Sequence, residues 1–232
     1  MKQNRQTYWI PLADMMTGLM MVFLLISMVY MSKTASLITE FDGTKKEIEK
    51  DLKSGLDDDL KKFNAEILSD LTIRFKDTST IFSIGSSKIN QHFAEQLKVF
   101  VPKYIAIVSQ EKYKKIIKEI RIEGHTSNVW AGTNDKKIAY INNMDLSQDR
   151  TRETLRFILS MPELQSQEDF LYEKLTAIGF SSSRPILNDD QTINTNASQR
   201  IEFRIVTNSD DTIKKIKNEI IVEKNQISNN IQ

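Results

Sequence analysis

The sequence predicts an α+β chain in which one long apolar helix precedes a helical connector and a small mixed domain. Three observations lead to this prediction. The segment 8–31 is apolar apart from one aspartate, one proline and a few small polar residues. A charged stretch follows in which apolar residues recur mostly three or four positions apart, as in an amphipathic helix. Beyond residue 70, short β-branched runs alternate with segments of helical spacing, and such mixing is typical of α+β domains.

Length and composition narrow the possible functions. A chain of 232 residues has room for one globular unit with extensions. Its 32 basic and 31 acidic residues give a net charge of +1, so no nucleic-acid partner is expected. The absence of cysteine excludes disulfides and thiolate sites, and two histidines, His92 and His125, are too few to indicate a metal centre. Without a phosphate-binding loop or a nucleophile elbow, we expect no enzyme.

Residues 8–32 are predicted to form a transmembrane helix. An apolar run of this length crosses a hydrocarbon layer of about 30 Å. Tyr8 and Trp9 at one end and Tyr30 at the other lie where interfacial aromatic residues anchor a span. A cleaved signal peptide would have a shorter apolar region and a better small-residue cleavage site. We therefore expect the segment to be retained as a single membrane span.

The charges of the first residues predict the orientation of this span. Residues 1–7 contain Lys2 and Arg5 and no acidic residue. Positive charge is enriched on the cytoplasmic side of membrane helices. The tail 1–7 is therefore predicted to be cytoplasmic, and the chain beyond the span is predicted to lie outside the cytoplasm.

Asp14 is the one charged residue inside the predicted span. An ionised carboxylate that faces lipid costs several kcal/mol, so its presence needs a physical reason. One interpretation is a carboxylate near the helix N-terminus that is favoured by the helix dipole and reaches headgroup water. The other is a group that binds and releases a proton or sodium ion inside a protein-lined path. Thr17, nearly one turn later, could supply a second oxygen.

The segment Ala13–Phe23, ADMMTGLMMVF, resembles the region around the essential aspartate of flagellar stator B subunits, the MotB family. This resemblance implies that Asp14 is the ion-binding carboxylate. It also implies a dimer of B helices inside a ring of A-type subunits, with five A to two B. The resemblance calls for no cofactor beyond the transported proton or sodium ion, and it does not distinguish between these two ions.

Residues 33–70 are predicted to form a helical connector. The apolar spacing indicates an amphipathic helix, with possible interruptions at Asp42–Gly43 and at Gly55. The helix either packs on its own domain or forms a dimeric coiled coil, and the irregular repeat does not decide between them. By resemblance to stator B subunits, this segment plugs the channel or separates the anchor from the membrane.

The domain beyond the connector contains predicted strands and helices. In RIEFRIV, Ile201, Phe203 and Ile205 should face one side of a strand, and Glu202 and Arg204 the other. The predicted strands are 71–75, 80–84, 119–123 and 200–206, and the predicted helices are 94–109 and 147–160.

Four motifs in this region occur in an order that resembles the OmpA-like peptidoglycan-binding domain. They are IEGHTS, NMDLSQDR, GFSSSRP and RIEFRI. The resemblance covers residues 71–207 and leaves 208–232 as a C-terminal tail. It implies a small mixed sheet with helices on one face, and a ligand that is the diaminopimelate-containing stem peptide of the cell wall.

By position in these motifs, Arg150 should bind a carboxylate of the peptide with paired donors, and Asn143 should hydrogen-bond to the peptide. Ser127 completes the predicted site but stands where the family usually has an acid. That difference removes a charge-assisted hydrogen bond of about 1.5–3 kcal/mol. Wall binding is then weaker, uses Asp145 or Asp149 instead, or selects a differently substituted peptide. The alternative for Arg150 is a surface cation in a salt bridge.

The segment between Ser127 and Asn143 is predicted to be a loop longer than is usual in the family. Its Trp130 and Tyr140 either pack on the domain or flank a sugar or peptide ligand. His125 is predicted to be a structural turn residue. Together with the MotB-like helix and the short chain, this loop resembles the B subunits of Zorya anti-phage systems.

Together the resemblances imply a peptidoglycan-anchored B subunit of an ion-driven rotary motor, single-pass in the bacterial inner membrane with its domain in the periplasm. The implied partners are an A-subunit ring, a second copy of the chain and the peptidoglycan stem peptide. The Zorya-like layout implies antiviral defence. The alternatives are a flagellar stator B subunit, or a passive envelope-to-wall anchor without ion transport.

Overall fold

The computed structural model describes residues 9–76, 82–83 and 85–208, so most of both predicted tails lies outside the described residues. The chain separates after Thr44 into two compact units. The helices are α1 (Trp9–Lys62), α2 (Gln91–Val108), α3 (Glu111–Lys114), α4 (Lys136–Leu159), α5 (Glu168–Lys174) and α6 (Thr195–Ser198), with a 3₁₀ turn at Pro162–Gln167. The strands are β1 (Ala65–Ile67), β2 (Thr72–Phe75), β3 (Ile117–His125), β4 (Leu175–Gly179) and β5 (Arg200–Thr207).

The first unit contains the apolar part of α1. Among the described residues, one span, Pro11–Ser36, is long and apolar enough to cross a membrane, with 26 residues and a mean hydropathy of 2.0. In the most apolar 18-residue stretch of this span, no residue is buried by other parts of the chain. An apolar surface of this size requires lipid or another protein to cover it. An apolar N-terminal helix at the predicted position is therefore confirmed.

In the second unit, the C-terminal part of α1 packs into the core of the domain. Ile48, Leu52, Leu56 and Leu60 recur every four residues and are all buried, as is Phe63 just beyond the helix. Their spacing places them along one side of the helix. Of the two interpretations of the connector, packing on its own domain is therefore the one observed for this part of α1.

The limits of the connector differ from the predicted ones. The helix α1 runs through Asp42–Gly43 and Gly55 without interruption. The domain begins at Lys45 and not at residue 71, because the helical segment before residue 62 supplies core side chains. At Gly55 an added Cβ would lie 2.7 Å from Cδ1 of Ile107, so the missing side chain lets α1 approach α2 closely.

The five strands form one mixed sheet in the order β1-β2-β5-β3-β4. The pair β3 and β4 is parallel, and the other pairs are antiparallel. Ile73, Phe203 and Ile122 are in register across the three central strands and are buried. The Phe203 ring contacts Phe100 and Tyr104 of α2. The predicted small mixed sheet, covered by helices on its apolar face, is confirmed.

Several elements differ from those predicted. Neither β1 nor β4 was predicted, and α4 begins at Lys136, so half of the predicted loop before Asn143 is helical. Asp135 caps this helix by accepting the backbone N–H of Lys137 at 2.8 Å and of Ile138 at 3.3 Å. The predicted strand 80–84 lies mostly outside the described residues, and Phe82 forms an isolated bridge with Ile89.

Helix α4 lies directly on the backbone of two strands at glycines. A Cβ on Gly124 of β3 would lie 2.7 Å from the backbone oxygen of Ser147, and a Cβ on Gly179 of β4 would lie 2.6 Å from the backbone nitrogen of Gln148. Ser147 is fully buried, and its Oγ accepts the backbone N–H of Ser181 at 3.0 Å. These contacts fix the position of α4 on the sheet.

We expect Gly124→Ala to lower the free energy of unfolding by about 2–3 kcal/mol, because the added methyl group meets a backbone oxygen that cannot move without shifting α4. Gly43→Ala is the control, since nothing lies within 4 Å of its added Cβ. That variant should change stability by less than about 1 kcal/mol, in the favourable direction for a helix. Chemical unfolding of the full chain in detergent micelles checks both, and equal stabilities would contradict the prediction.

Candidate functional site

The three predicted peptidoglycan-binding residues lie at the end of β3 and along α4. Ser127 lies two residues after the end of β3, and both Asn143 and Arg150 lie on α4. A separation of seven residues places Asn143 and Arg150 on the same side of the helix, about 10 Å apart along its axis. Both are buried, with 3% and 6% of their surface exposed. Ser147 lies between them at the contact with the sheet.

Asn143 and Ser127 meet at one backbone carbonyl. Asn143 Nδ2 donates a hydrogen bond to the Val129 oxygen at 3.1 Å, and Ser127 Oγ donates to the same oxygen at 3.3 Å. The two side chains thereby hold the turn that follows β3 against α4. The structure thus brings together these two of the predicted site residues.

Arg150 is a buried cation. Its Nε donates to the backbone oxygen of Ser86 at 3.0 Å, and its guanidinium lies 4.8 Å from the centre of the Phe82 ring. Burial lowers the pKa of Arg150 to about 10. Among the described residues, no carboxylate lies within ion-pair distance of this guanidinium. The interpretation of Arg150 as a surface cation in a salt bridge is therefore wrong for the described part of the chain.

The two acids proposed as replacements at position 127 lie on another side of α4 from Asn143. Asp145 and Asp149 are two and six residues from Asn143, which places them roughly 200° and 240° around α4 from it. Asp145 is exposed, and Asp149 forms an ion pair with Arg152 on the outer side of the helix. Neither acid therefore shares the side of α4 that carries Asn143 and Arg150, and the use of either acid in place of the missing one stays a prediction.

The opposite face of the sheet contains a buried ion-pair network centred on Glu202. As predicted, Glu202 points away from the apolar core, but it is only 5% exposed. Its Oε1 accepts hydrogen bonds from Arg74 Nε at 2.6 Å and from Arg200 Nε at 2.7 Å. Burial by itself raises the pKa of Glu202, but the adjacent His125 ring and the Arg200 and Arg74 guanidiniums outweigh burial and hold that pKa well below its usual range.

His125 is part of the same network. It is 2% exposed, its ring stacks on Phe180 with centroids 5.2 Å apart, and its Nε2 lies 3.3 Å from Glu202 Oε2. The Arg184 guanidinium covers Phe180 at 3.7 Å and lies 3.3 Å from Glu123 Oε2. His125 is thus buried in the structure of the domain, but it is the last residue of β3, paired in register with Arg200, and not the turn residue that was predicted.

The ligand atoms of Glu123, His125 and Glu202 lie within 4.8 Å of one another, an arrangement that could hold a metal ion. The guanidiniums of Arg74, Arg184 and Arg200 surround the same carboxylates. Their positive charges oppose a cation at this position. We therefore interpret the group as an ion-pair network of the fold.

Asp14 and Thr17 lie three residues apart on α1, so their side chains share one side of the helix. Both are exposed in the single chain. Thr17 Oγ1 donates its proton to the backbone oxygen of Ala13 at 2.7 Å. Its oxygen then offers only lone pairs to a neighbour, as a carboxylate does. This pair of oxygens is suited to a proton or a metal cation.

Comparison with known proteins places these observations in a family. No family model matches the chain. The chain is 35% identical over 223 residues to Zorya protein ZorB from Escherichia coli strain Crooks, an alignment that covers 93% of this chain and 94% of that protein. The chain belongs to the ZorB family. The alignment is long enough to include both the apolar helix and the domain of this ZorB-family chain.

This ZorB-family chain is similar to domains of known structure. A MotB-like protein from Desulfovibrio vulgaris is 16% identical, with a TM-score of 0.52 over 73% of this chain and 98% of that one. The cell wall anchor of the T6SS from Pseudomonas aeruginosa is 18% identical, with a TM-score of 0.47 over 67% of this chain and 96% of that one. The TM-score of 0.52 shows that this chain and the MotB-like protein share a fold, although only 16% of their aligned residues are identical.

Proposed function

We propose that this chain is the peptidoglycan-anchored B subunit of an ion-driven inner-membrane motor in Zorya-type anti-phage defence. The observation that supports this most strongly is the 35% identity to a Zorya protein across 93% of the chain. Such an extent favours a shared role for the whole chain, from the apolar helix that holds Asp14 to the domain that holds Arg150. It also favours defence over swimming motility.

Wall binding is supported by the charge at Arg150. A buried guanidinium without a carboxylate partner among the described residues has lost water without gaining a counter-charge. A carboxylate of the peptidoglycan stem peptide would supply that charge and match the paired donors of the guanidinium. Asn143 and Ser127 shape the adjacent turn, and we assign Asn143 a hydrogen bond to the peptide.

Ion transport is supported by Asp14 and Thr17 in an apolar helix. The helix spans the inner membrane once, with the N-terminus in the cytoplasm and the domain in the periplasm. In a dimer of this chain inside a ring of A-type subunits, at five A to two B, each Asp14 accepts and releases a proton or sodium ion. The wall-bound domains hold the dimer stationary while the A ring turns.

The wall-binding step is tested with Arg150→Gln. Loss of the bond to a charged group, worth about 1.5–3 kcal/mol, should weaken binding to purified sacculi by roughly tenfold or more. The stability of the chain should stay unchanged or rise, because the variant no longer buries a charge that has no carboxylate partner among the described residues. Co-sedimentation of the full chain in detergent micelles measures binding, and thermal unfolding measures stability.

Arg152→Gln is the matched control. Arg152 lies on the same helix but is exposed and paired with Asp149. Its loss should change sacculus binding by less than about twofold, as for other surface ion pairs. If Arg150→Gln sediments with sacculi as the parent does, the proposed wall site is wrong.

A further inference from the structure

We infer that this wall site recognises a carboxylate alone, so that it accepts a diaminopimelate residue whose neighbouring amine is acylated. This inference rests on the proposed binding of peptidoglycan. It concerns which chemical form of the stem peptide the site selects. Two features of the described residues support it, namely the charge around Arg150 and the neutral side chains that hold the turn after β3.

Among the described residues, the surroundings of Arg150 carry charge of one sign only. Arg150 is a buried cation whose described neighbours are the Ser86 carbonyl and the Phe82 ring. Neither neighbour carries a negative charge. A ligand carboxylate is attracted here, whereas an ammonium group brought close to the same guanidinium adds a second positive charge in a poorly solvated place.

The side chains at the turn after β3 provide no negative charge for an ammonium group among the described residues. The side chains of Ser127 and Asn143, which both donate to the Val129 oxygen, are neutral, so their oxygens offer an ammonium group no opposite charge. Asp145 and Asp149 are directed to the outer side of α4. Among the described residues, therefore, none of the acids near the site along the chain faces Arg150.

The side chain of diaminopimelate ends in a carbon that bears both a carboxylate and an amine. Acylation of this amine converts a charged ammonium into a neutral amide and leaves the carboxylate intact. This change occurs when the amine becomes part of a peptide cross-link. Amidation of the carboxyl group does the reverse, since it removes the negative charge and leaves the ammonium.

A site with this charge pattern should therefore accept cross-linked stem peptides, in which the amine is acylated. Cross-linked positions are the ones at which the wall transmits force between glycan strands. A wall-bound domain held at these positions would transmit the torque of the motor directly to the covalently cross-linked glycan strands.

The experiment compares three synthetic stem tripeptides, L-Ala–γ-D-Glu–diaminopimelate, with the full chain in detergent micelles by calorimetry. One has the free side-chain amine and carboxylate, one has the amine acetylated, and one has the carboxyl group amidated. The acetylated peptide should bind at least as tightly as the free form. The amidated peptide should bind roughly tenfold more weakly or worse, because it lacks the side-chain carboxylate that is proposed to pair with Arg150.

Ser127→Asp places an acid at the position where the OmpA-like family usually has one. It should reverse the preference, so that the free amine binds roughly tenfold more tightly than the acetylated form. Circular dichroism shows whether this variant folds, and the comparison of the three peptides on the parent chain decides the inference without it.

The outcomes separate this inference from the proposed function. If the parent chain binds the free amine roughly tenfold more tightly than the acetylated form, the inference is overturned while peptidoglycan binding stands. Equal binding of the amidated peptide also overturns it. If the parent chain binds neither sacculi nor any of the three peptides, the proposed wall binding fails, and this inference fails with it.

Discussion

Asp14→Asn is expected to abolish phage protection in cells that also make the A-type subunit, while the chain still binds the wall. Asparagine has nearly the same size and shape as aspartate, so packing around the helix is retained. It has no titratable proton and no negative charge with which to neutralise a cation. If each motor step requires Asp14 to bind and release an ion, the neutral amide stops every step.

The measurement is the efficiency of phage plating, with sacculus co-sedimentation of the same variant to show that anchoring is intact. Met15→Leu is the matched control, because the adjacent residue is exposed on the same apolar helix and leucine preserves its apolar character. The control should protect as the parent does. Full protection by Asp14→Asn would instead support a passive envelope-to-wall anchor.

Glu202→Gln is expected to lower the free energy of unfolding by about 3–5 kcal/mol, the usual cost of removing one partner from a buried ion pair. The neutral amide leaves the Arg74 and Arg200 guanidiniums without their shared carboxylate. The Arg200 side chain is only 6% exposed, so water cannot replace the lost partner at low cost.

Chemical unfolding of the full chain in detergent micelles measures this difference. Glu173→Gln is the control, because Glu173 is 69% exposed in its ion pair with Lys174. Its effect should stay below about 1 kcal/mol. If the two variants lose the same stability, the network around Glu202 does not stabilise the fold as proposed.

The destabilisation should also depend on pH. Glu202 has a folded-state pKa below its ordinary value, so its contribution is present above the unfolded pKa of about 4.3 and is lost as the pH falls through the folded pKa. The difference in unfolding free energy between the parent and Glu202→Gln should therefore be smaller at about pH 3 than at about pH 7. These two values lie on either side of the ordinary glutamate pKa of about 4.3. A gap that widens toward low pH would contradict this assignment.

Local patterns in the sequence identified much of the fold. A long apolar run is enough to predict a helix of membrane-spanning length. Asp14 is easily recognised within it because charged residues are rare in such segments. Strict alternation placed Ile201, Phe203 and Ile205 on the core face of β5, and all three are buried there. The motif around Arg150 located the candidate wall site, since seven residues on a helix return to the same side.

The strands β1 and β4 and the start of α4 were not predicted from the sequence. The strand β1 has three residues, and β4 reads LTAIG without a polar alternation. Both depend on pairing with strands distant in sequence. The early start of α4 had a signal that could have been used, because Asp135 precedes a run of helix-compatible residues and caps it.

By itself, the sequence determined the apolar helix with Asp14, the α+β class and the position of Arg150 on a helix, because each depends on neighbours within a few residues along the chain. Only the tertiary structure decided that α1 supplies part of the domain core, that Glu202 is buried among arginines, and that Arg150 lacks an acid among the described residues. Burial and charge pairing depend on residues far apart in sequence, and packing alone brings those residues together.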